Sequence, residues 1–360
     1  MSQRNALVTG YPGFISRRLV KKLLTADDDL KVSLLVEASR EAQAQAEVDK
    51  LSEQITNDLN LPERVRIFAG DVTSMDVGLS GPEFRTLTTE VTEVYHLAAA
   101  HSLSVERRIA DQVNVQGTAN VLALARAMQR LERFVHFSSA YVSGNRQGVI
   151  MEDELEEGQG FRSAYEATKY QAEVLVRRAA ERLPVTIVRP AGVLGDSRTG
   201  ETDRYDSVYA MLALLVASPV AIPLPLPGDG HAPLNLVPVD FVVDAIHVLV
   251  NRPETIGKTF HVVDPNPLSA RRVYEAIAKK SGKTPPKYKV PPNLTKALLR
   301  IPALERFAPV SHQALDYLNH MAFYNSRNLF EALQGTGLSC PTFESYVEQL
   351  MSYAKNEFER

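Results

Sequence analysis

The chain has no tryptophan and only one cysteine, Cys340, among 360 residues. A lone thiol excludes an intrachain disulfide and makes a cysteine-based metal cluster implausible, so a reducing compartment suits the chain and a cytoplasmic location is expected. A dominant charge is lacking as well. The 40 Lys and Arg against 43 Asp and Glu leave a formal net charge of −3, which gives no general electrostatic reason to bind nucleic acid or an anionic membrane. Repeats and low-complexity linkers are absent, and Met1 is followed by polar residues without the basic-then-apolar layout of a signal peptide.

Long apolar runs are scarce. Ser207–Gly228 carries no charge over about the length of a spanning helix. Pro219, Pro223, Pro225 and Pro227 fall in its second half, where each removes a helix donor. A buried helix to Ala217 followed by an extended Pro-rich loop is expected, without a transmembrane segment; weak membrane-surface association is the remaining reading.

What the chain does have is 44% apolar residues, enough to bury a large core. Ala6–Val8, Lys31–Val36, Val65–Ala69, Glu93–Leu97, Phe134–Ser138 and Val185–Arg189 read as short strands, with helical patterns between most of them. That alternation predicts an α/β fold, a doubly wound parallel sheet covered on both faces. Beyond Gly195 come helices, Pro-rich loops and one further strand candidate, Thr259–Val263. The organisation expected is a sheet domain over 1–195 and a smaller, mostly helical lobe over 196–360, from which about 235–265 returns to the sheet. The acidic run Glu152–Glu157 reads as a solvated surface helix.

The stretch ALVTGYPGFISRRLVKKLL, Ala6 to Leu24, interrupts an apolar run with Gly10, Pro12 and Gly13 and resumes as a helix. Glycine permits tight turning and close backbone approach, and the free N–H groups of the helix starting at Phe14 and Ile15 suit a pyrophosphate. The spacing Gly10-x-x-Gly13-x-x-Ser16 departs from the commoner G-x-G-x-x-G, and a turn using glycine for geometry alone is the plainer reading. Glu37, at the end of the second strand in SLLVEAS, can accept both ribose hydroxyls and would repel a 2′-phosphate, which favours NAD(H) over NADP(H). Arg17, Arg18 and Arg40 would reverse that preference if they pointed inward. After the third strand, Asp71 could accept from an adenine amino group and Val72 could pack on the ring; a loop cap is the alternative for Asp71.

Tyr165 and Lys169, four apart in SAYEATKYQAE, project from one helix face. An ammonium beside a phenol lowers its pKa from about 10 toward the range useful for acid–base catalysis. Upstream, Ser138 and Ser139 end a strand, where a hydroxyl could hold a substrate oxygen.

Taken together, TGYPGFIS, GDVT, HLAA (His96–Ala99), NVQGT (Asn114–Thr118), FSSAYVSG, YEATK and RPAGVLG (Arg189–Gly195) resemble the extended short-chain dehydrogenase/reductase superfamily over nearly the whole chain. The resemblance implies a Rossmann fold and a catalytic set of Ser139, Tyr165 and Lys169. Tyr165 would transfer the proton, and Lys169 would lower its pKa while binding the nicotinamide ribose. It implies NAD(P)(H) contacts from Gly10, Gly13, Phe14, Ile15, Glu37, Asp71, Val72, Ala98, Lys169 and the turn after Pro190, a mainly structural Asn114, and a homodimer built on helices Val105–Arg130 and Tyr165–Arg182. Within the superfamily, TGYPGFIS…LLVEAS and VPVDFVVDAI (Val237–Ile246) look most like the male-sterility and thioester-reductase branch, which includes fatty acyl-CoA reductases. Glu37 stands where that branch often has an arginine, and Ser16 replaces the third glycine, which is expected to crowd the helix against the sheet.

The leading expectation is an NAD(P)-dependent oxidoreductase acting on a carbonyl or carbinol carbon of an apolar substrate such as an acyl thioester, fatty aldehyde or sterol. A channel wall would come from 207–228 and from Asn293–Tyr324, with Leu298, Leu299, Ile301, Leu304 and Phe307. A nucleotide-sugar epimerase or dehydratase is the rival, kept open by Arg271 and Arg272, and a non-catalytic dinucleotide sensor is the second.

Overall fold

A computed structural model describes residues 3–55, 61–102, 105–203, 230–282 and 319–358. Its centre is a seven-stranded parallel sheet: β1 (Asn5–Thr9), β2 (Lys31–Val36), β3 (Val65–Ala69), β4 (Glu93–His96), β5 (Arg133–Phe137), β7 (Val185–Pro190) and β10 (Thr259–Val262). Two three-residue parallel pairings lie outside it, β8 (Gly192–Leu194) with β9 (Leu236–Pro238) and β6 (Gly148–Ile150) with β11 (Ala322–Tyr324), and an isolated bridge joins Pro233 to Ser269.

The order across the large sheet is β10-β7-β5-β4-β1-β2-β3. Strand order therefore reverses between β1 and β4, and ligands in such sheets bind in the crevice beyond the carboxyl ends at that switch.

Burial on both faces explains the apolar strands. In β1, Ala6 and Val8 join one core with Leu19 and Val20 of the helix Phe14–Ala26 and with Phe241 and Ile246 of the helix Val239–Val250. Leu7 points the other way, into a second core with Leu87, Val121 and Val176. The period of two distributes neighbouring residues between two helical layers. A third core joins Leu194 and Leu236 to Tyr274 and Ile277 of the helix Ala270–Lys280 and to Tyr346 and Leu350 of the helix Phe343–Phe358. The chain from 236 to 262 thus supplies β9, a helix of the first core and the edge strand of the large sheet.

The acidic run corrects one expectation. Glu152–Glu157 is irregular rather than helical, and Glu152 is buried. Its carboxylate accepts the backbone N–H of His261 at 2.9 Å and of Asn328 at 2.7 Å, two donors brought from distant chain. The 207–228 run, the tail from 293 to 318 and Tyr205 lie outside the described residues. No helix among the described residues is long and apolar enough to cross a membrane.

Candidate active site

The glycine turn sits at the switch point. Gly10 has a φ of +80°, and a Cβ there would stand 2.7 Å from the backbone nitrogen of Ala98. A Cβ on Gly13 would meet the Gly10 carbonyl at 2.7 Å. At Gly10 the strand ends after β1 and after β4 therefore meet backbone to backbone. No side chain caps the helix that starts at Phe14, and its first turn holds no acidic residue. The N–H groups of Phe14 and Ile15 are those a helix leaves without internal partners, a cradle that fits a pyrophosphate.

Ser16 is buried beside this turn. Its hydroxyl donates to the carbonyls of Gly10 at 2.9 Å and Gly13 at 3.0 Å, so it braces the loop that a glycine would leave free. Thr9 adds a second brace: its Oγ1 accepts the N–H of Leu97 at 3.2 Å and of Ala98 at 3.1 Å. That hydroxyl's proton goes to Nδ1 of His96 at 2.9 Å, and His96 Nε2 donates to Thr118 Oγ1 at 3.0 Å, because Thr118 itself donates to the Asn114 carbonyl at 2.6 Å. Burial, with the Lys169 charge adding to it, pushes His96 down to about 3, so the ring stays neutral and its tautomer is fixed.

Glu37 follows β2 directly and is exposed. Two of the three arginines that could outweigh it are engaged elsewhere. Arg17 pairs with Glu47 at 2.7 Å and with Asp203, and Arg18 pairs with Glu201 at 3.1 Å. Arg40 is exposed beside Gln43. The Asp71 carboxylate is engaged in its own loop, accepting from the Thr73 N–H and hydroxyl, both at 2.8 Å. Val72 is buried against Gly117, where a Cβ would lie 3.0 Å from its side chain. Pro190 ends β7 opposite Val262, and the chain then turns through Ala191 into β8.

Tyr165 and Lys169 lie in the first turns of the helix Ala164–Ala179, capped by the Ser163 hydroxyl on the Glu166 N–H. Lys169 is buried, and its Nζ donates to the Phe137 carbonyl at the end of β5. Burial lowers its pKa to about 8, and Glu173 one turn on opposes that fall. Tyr165 is half-buried. The Ser139 hydroxyl accepts the Tyr141 N–H at 3.2 Å, whereas Ser138 turns away and donates to Glu173 at 2.5 Å. Asn114 fastens the loop after β4 to this helix. It accepts the Ala100 N–H at 2.7 Å and donates to Thr168 at 2.9 Å.

A glycine turn at the switch point and a buried Lys169, four residues after Tyr165 and tied to the end of the strand that leads to Ser139, thus stand at the carboxyl end of the sheet. A family model described as male sterility protein matches residues 8–246. The chain belongs to that family. It is an extended short-chain dehydrogenase/reductase of the thioester-reductase and fatty acyl-CoA reductase branch, a family of NAD-binding reductases. Fatty acyl-CoA reductase wat of Drosophila melanogaster is 26% identical over 274 residues, covering 68% of this chain and 53% of that protein. The chain spans about half the length of the curated fatty acyl-CoA reductases it matches. The crystal structure of the terminal R domain from the myxalamid PKS-NRPS biosynthetic pathway superposes with a TM-score of 0.82 at 29% identity, over 99% of this chain and 92% of that one. UDP-glucuronic acid 4-epimerase from Bacillus cereus in complex with NAD gives 0.70 at 19% identity over 98% and 99%, a likeness of fold.

Several residues of this male sterility family site were not singled out by sequence reasoning. Thr9, Glu173 and His261 are bonded to partners on other elements, and Thr9 and His261 carry no local signature. Glu173 did leave a trace: an acid four residues past Lys169 on the same face, where apolar residues would be expected.

Proposed function

We propose that the chain is a nicotinamide-dependent reductase of acyl thioesters or the aldehydes derived from them, working through Ser139, Tyr165 and Lys169. The observation that carries this reading is the Lys169 ammonium, buried one helical turn from Tyr165 and tied to the strand end that bears Ser139. A cation held there stabilises the Tyr165 phenolate and so makes the phenol a usable acid near neutral pH. Ser139 holds the carbonyl oxygen, and Tyr165 delivers the proton to it. When bound, the reduced nicotinamide supplies the hydride to the carbonyl carbon. For a thioester, that carbon gains one hydride, the oxygen gains one proton and loss of the thiol leaves an aldehyde; Tyr165 is reprotonated from solvent.

Gly10, Gly13, Phe14 and Ile15 would receive the pyrophosphate, with Ala98 closing the turn and Pro190 leading into the nicotinamide side. Asp71 and Val72 would border the adenine through the loop after β3. NAD(H) is favoured over NADP(H), since Glu37 is exposed at the ribose position and Arg17 and Arg18 are ion-paired. Titrating NADH and NADPH by fluorescence tests this: NADH should bind more tightly and Glu37→Ala should narrow the gap, and tighter NADPH binding by the unmodified protein would refute it.

The substrate class is tested with a chain-length series of acyl-CoAs and aldehydes run beside UDP-sugars. Turnover rising with chain length supports the thioester and lipid reading, each buried methylene adding about 0.8 kcal/mol. Turnover confined to UDP-sugars would favour the epimerase alternative, which otherwise rests on fold likeness and on Arg271 and Arg272.

A further inference from the structure

The end of β5 is gripped from two sides. Lys169 holds the Phe137 carbonyl, and the next residue, Ser138, donates its hydroxyl to Glu173 at 2.5 Å. Ser139 follows at once. Glu173 is completely buried and lies one turn beyond Lys169 on the same helix. Its carboxylate is itself clamped: Arg189 of β7 reaches it through Nε at 3.0 Å and Nη2 at 2.6 Å, and Arg177 of its own helix at 3.1 Å. Arg189 donates onward to Nε2 of His261 at 3.1 Å and to the Glu154 carbonyl at 2.8 Å. The anion therefore has a fixed place in the fold, not merely a fixed place on its helix.

We propose that Glu173 is a positioning residue of the hydride-transfer site, holding the Ser138–Ser139 strand end through Ser138 and the Lys169 ammonium through its charge. This rests on the reductase reading above. Two effects are separable because the two links differ: the Ser138 bond is geometric, and the influence on Lys169 is electrostatic. The other titratable groups near Lys169 are His96 of β4 and His136 of β5, both held neutral by burial; Tyr165 lies four residues before it on the same helix. Those facing Glu173 are Arg177, Arg189 and His261, the last also held neutral by burial. Glu173 is thus the anion that offsets the burial of Lys169.

The test uses NADH and decanal as probes. Ser138→Ala leaves the Glu173–Arg189 pair intact; it should lower kcat about ten- to hundredfold, with NADH affinity unchanged, since a small misplacement of a reacting group is costly. Glu173→Gln removes the charge, so the alkaline fall of NADH affinity, set by loss of the Lys169 proton, should move down by at least about half a pH unit. Glu173→Asp, which keeps the charge, should return that limb toward its original position, a response that loosened packing would not give. The NADH limb needs no turnover, and Ser138→Ala serves if the Gln variant, which strands Arg189, does not fold. Lys169→Met and Tyr165→Phe run alongside. If Lys169→Met binds NADH normally and Tyr165→Phe turns over normally, the reductase reading itself fails. If those two behave as expected while Ser138→Ala keeps kcat within about twofold and the Glu173→Gln limb stays in place, the positioning role of Glu173 is overturned.

Discussion

Lys169 owes its properties to where its nitrogen ends rather than to its neighbours in sequence. Burial lowers its pKa to about 8, and Glu173 keeps it from falling further. Lys169→Met should therefore lose both cofactor affinity and turnover, which fluorescence titration and steady-state rates read separately. Thr9 is the second residue whose small side chain has large consequences, because one hydroxyl satisfies two backbone N–H groups and the His96 ring. Thr9→Val removes all three bonds, the one to His96 fully buried, and should cost about 1–3 kcal/mol in urea unfolding. Tyr165 and Lys169 could be named as a candidate pair because their spacing sets them on one helix face behind a glycine turn and a Ser-bearing strand end, and both do lie in the helix Ala164–Ala179. Thr9 and Glu173 could not be named in this way, since their meaning comes from partners such as Ala98 and Arg189 that only the folded chain brings near.

At the scale of elements, the glycine turn and the helix after it form one unit. Gly10→Ala places a Cβ against the backbone of Ala98 at a φ of +80°. About 1–3 kcal/mol of strain is expected, together with loss of cofactor binding, measured by thermal unfolding and NADH titration. The central strands were readable because burial on both faces makes them near-continuous apolar runs, as in Ala6–Val8. The three-residue strands β6, β8, β9 and β11 were missed, being too short for any periodicity to register. The bracing bonds of Ser16 went unread for a related reason: the two carbonyls its hydroxyl reaches are invisible in sequence. In the run 152–157, Asp153, Glu156 and Glu157 are exposed as their charge suggested, whereas the helix did not form and Glu152 is buried, its backbone donors lying more than a hundred residues away.

Across the whole molecule, Glu152 ties β10 to the segment entering the helix Arg327–Leu333, and so joins the sheet edge to the C-terminal chain. Burial raises its carboxyl from the usual 4.5 to about 7, against the pull of its backbone donors. A carboxyl whose folded pKa is raised binds its proton more tightly when folded, so its stabilising contribution is full below pH 4.5 and is lost as pH rises through about 7. Glu152→Gln should flatten the dependence of unfolding free energy on pH across that window, as read by urea titration at a series of pH values. The central claim, that this fold moves a hydride while Tyr165 moves the matching proton, is tested most directly by mixing Tyr165→Phe with reduced cofactor and a long-chain acyl-CoA or aldehyde in a single turnover. Cofactor binding should survive and cofactor oxidation should slow by about 10²–10⁴-fold relative to the unmodified protein; oxidation at the unmodified rate would contradict the account.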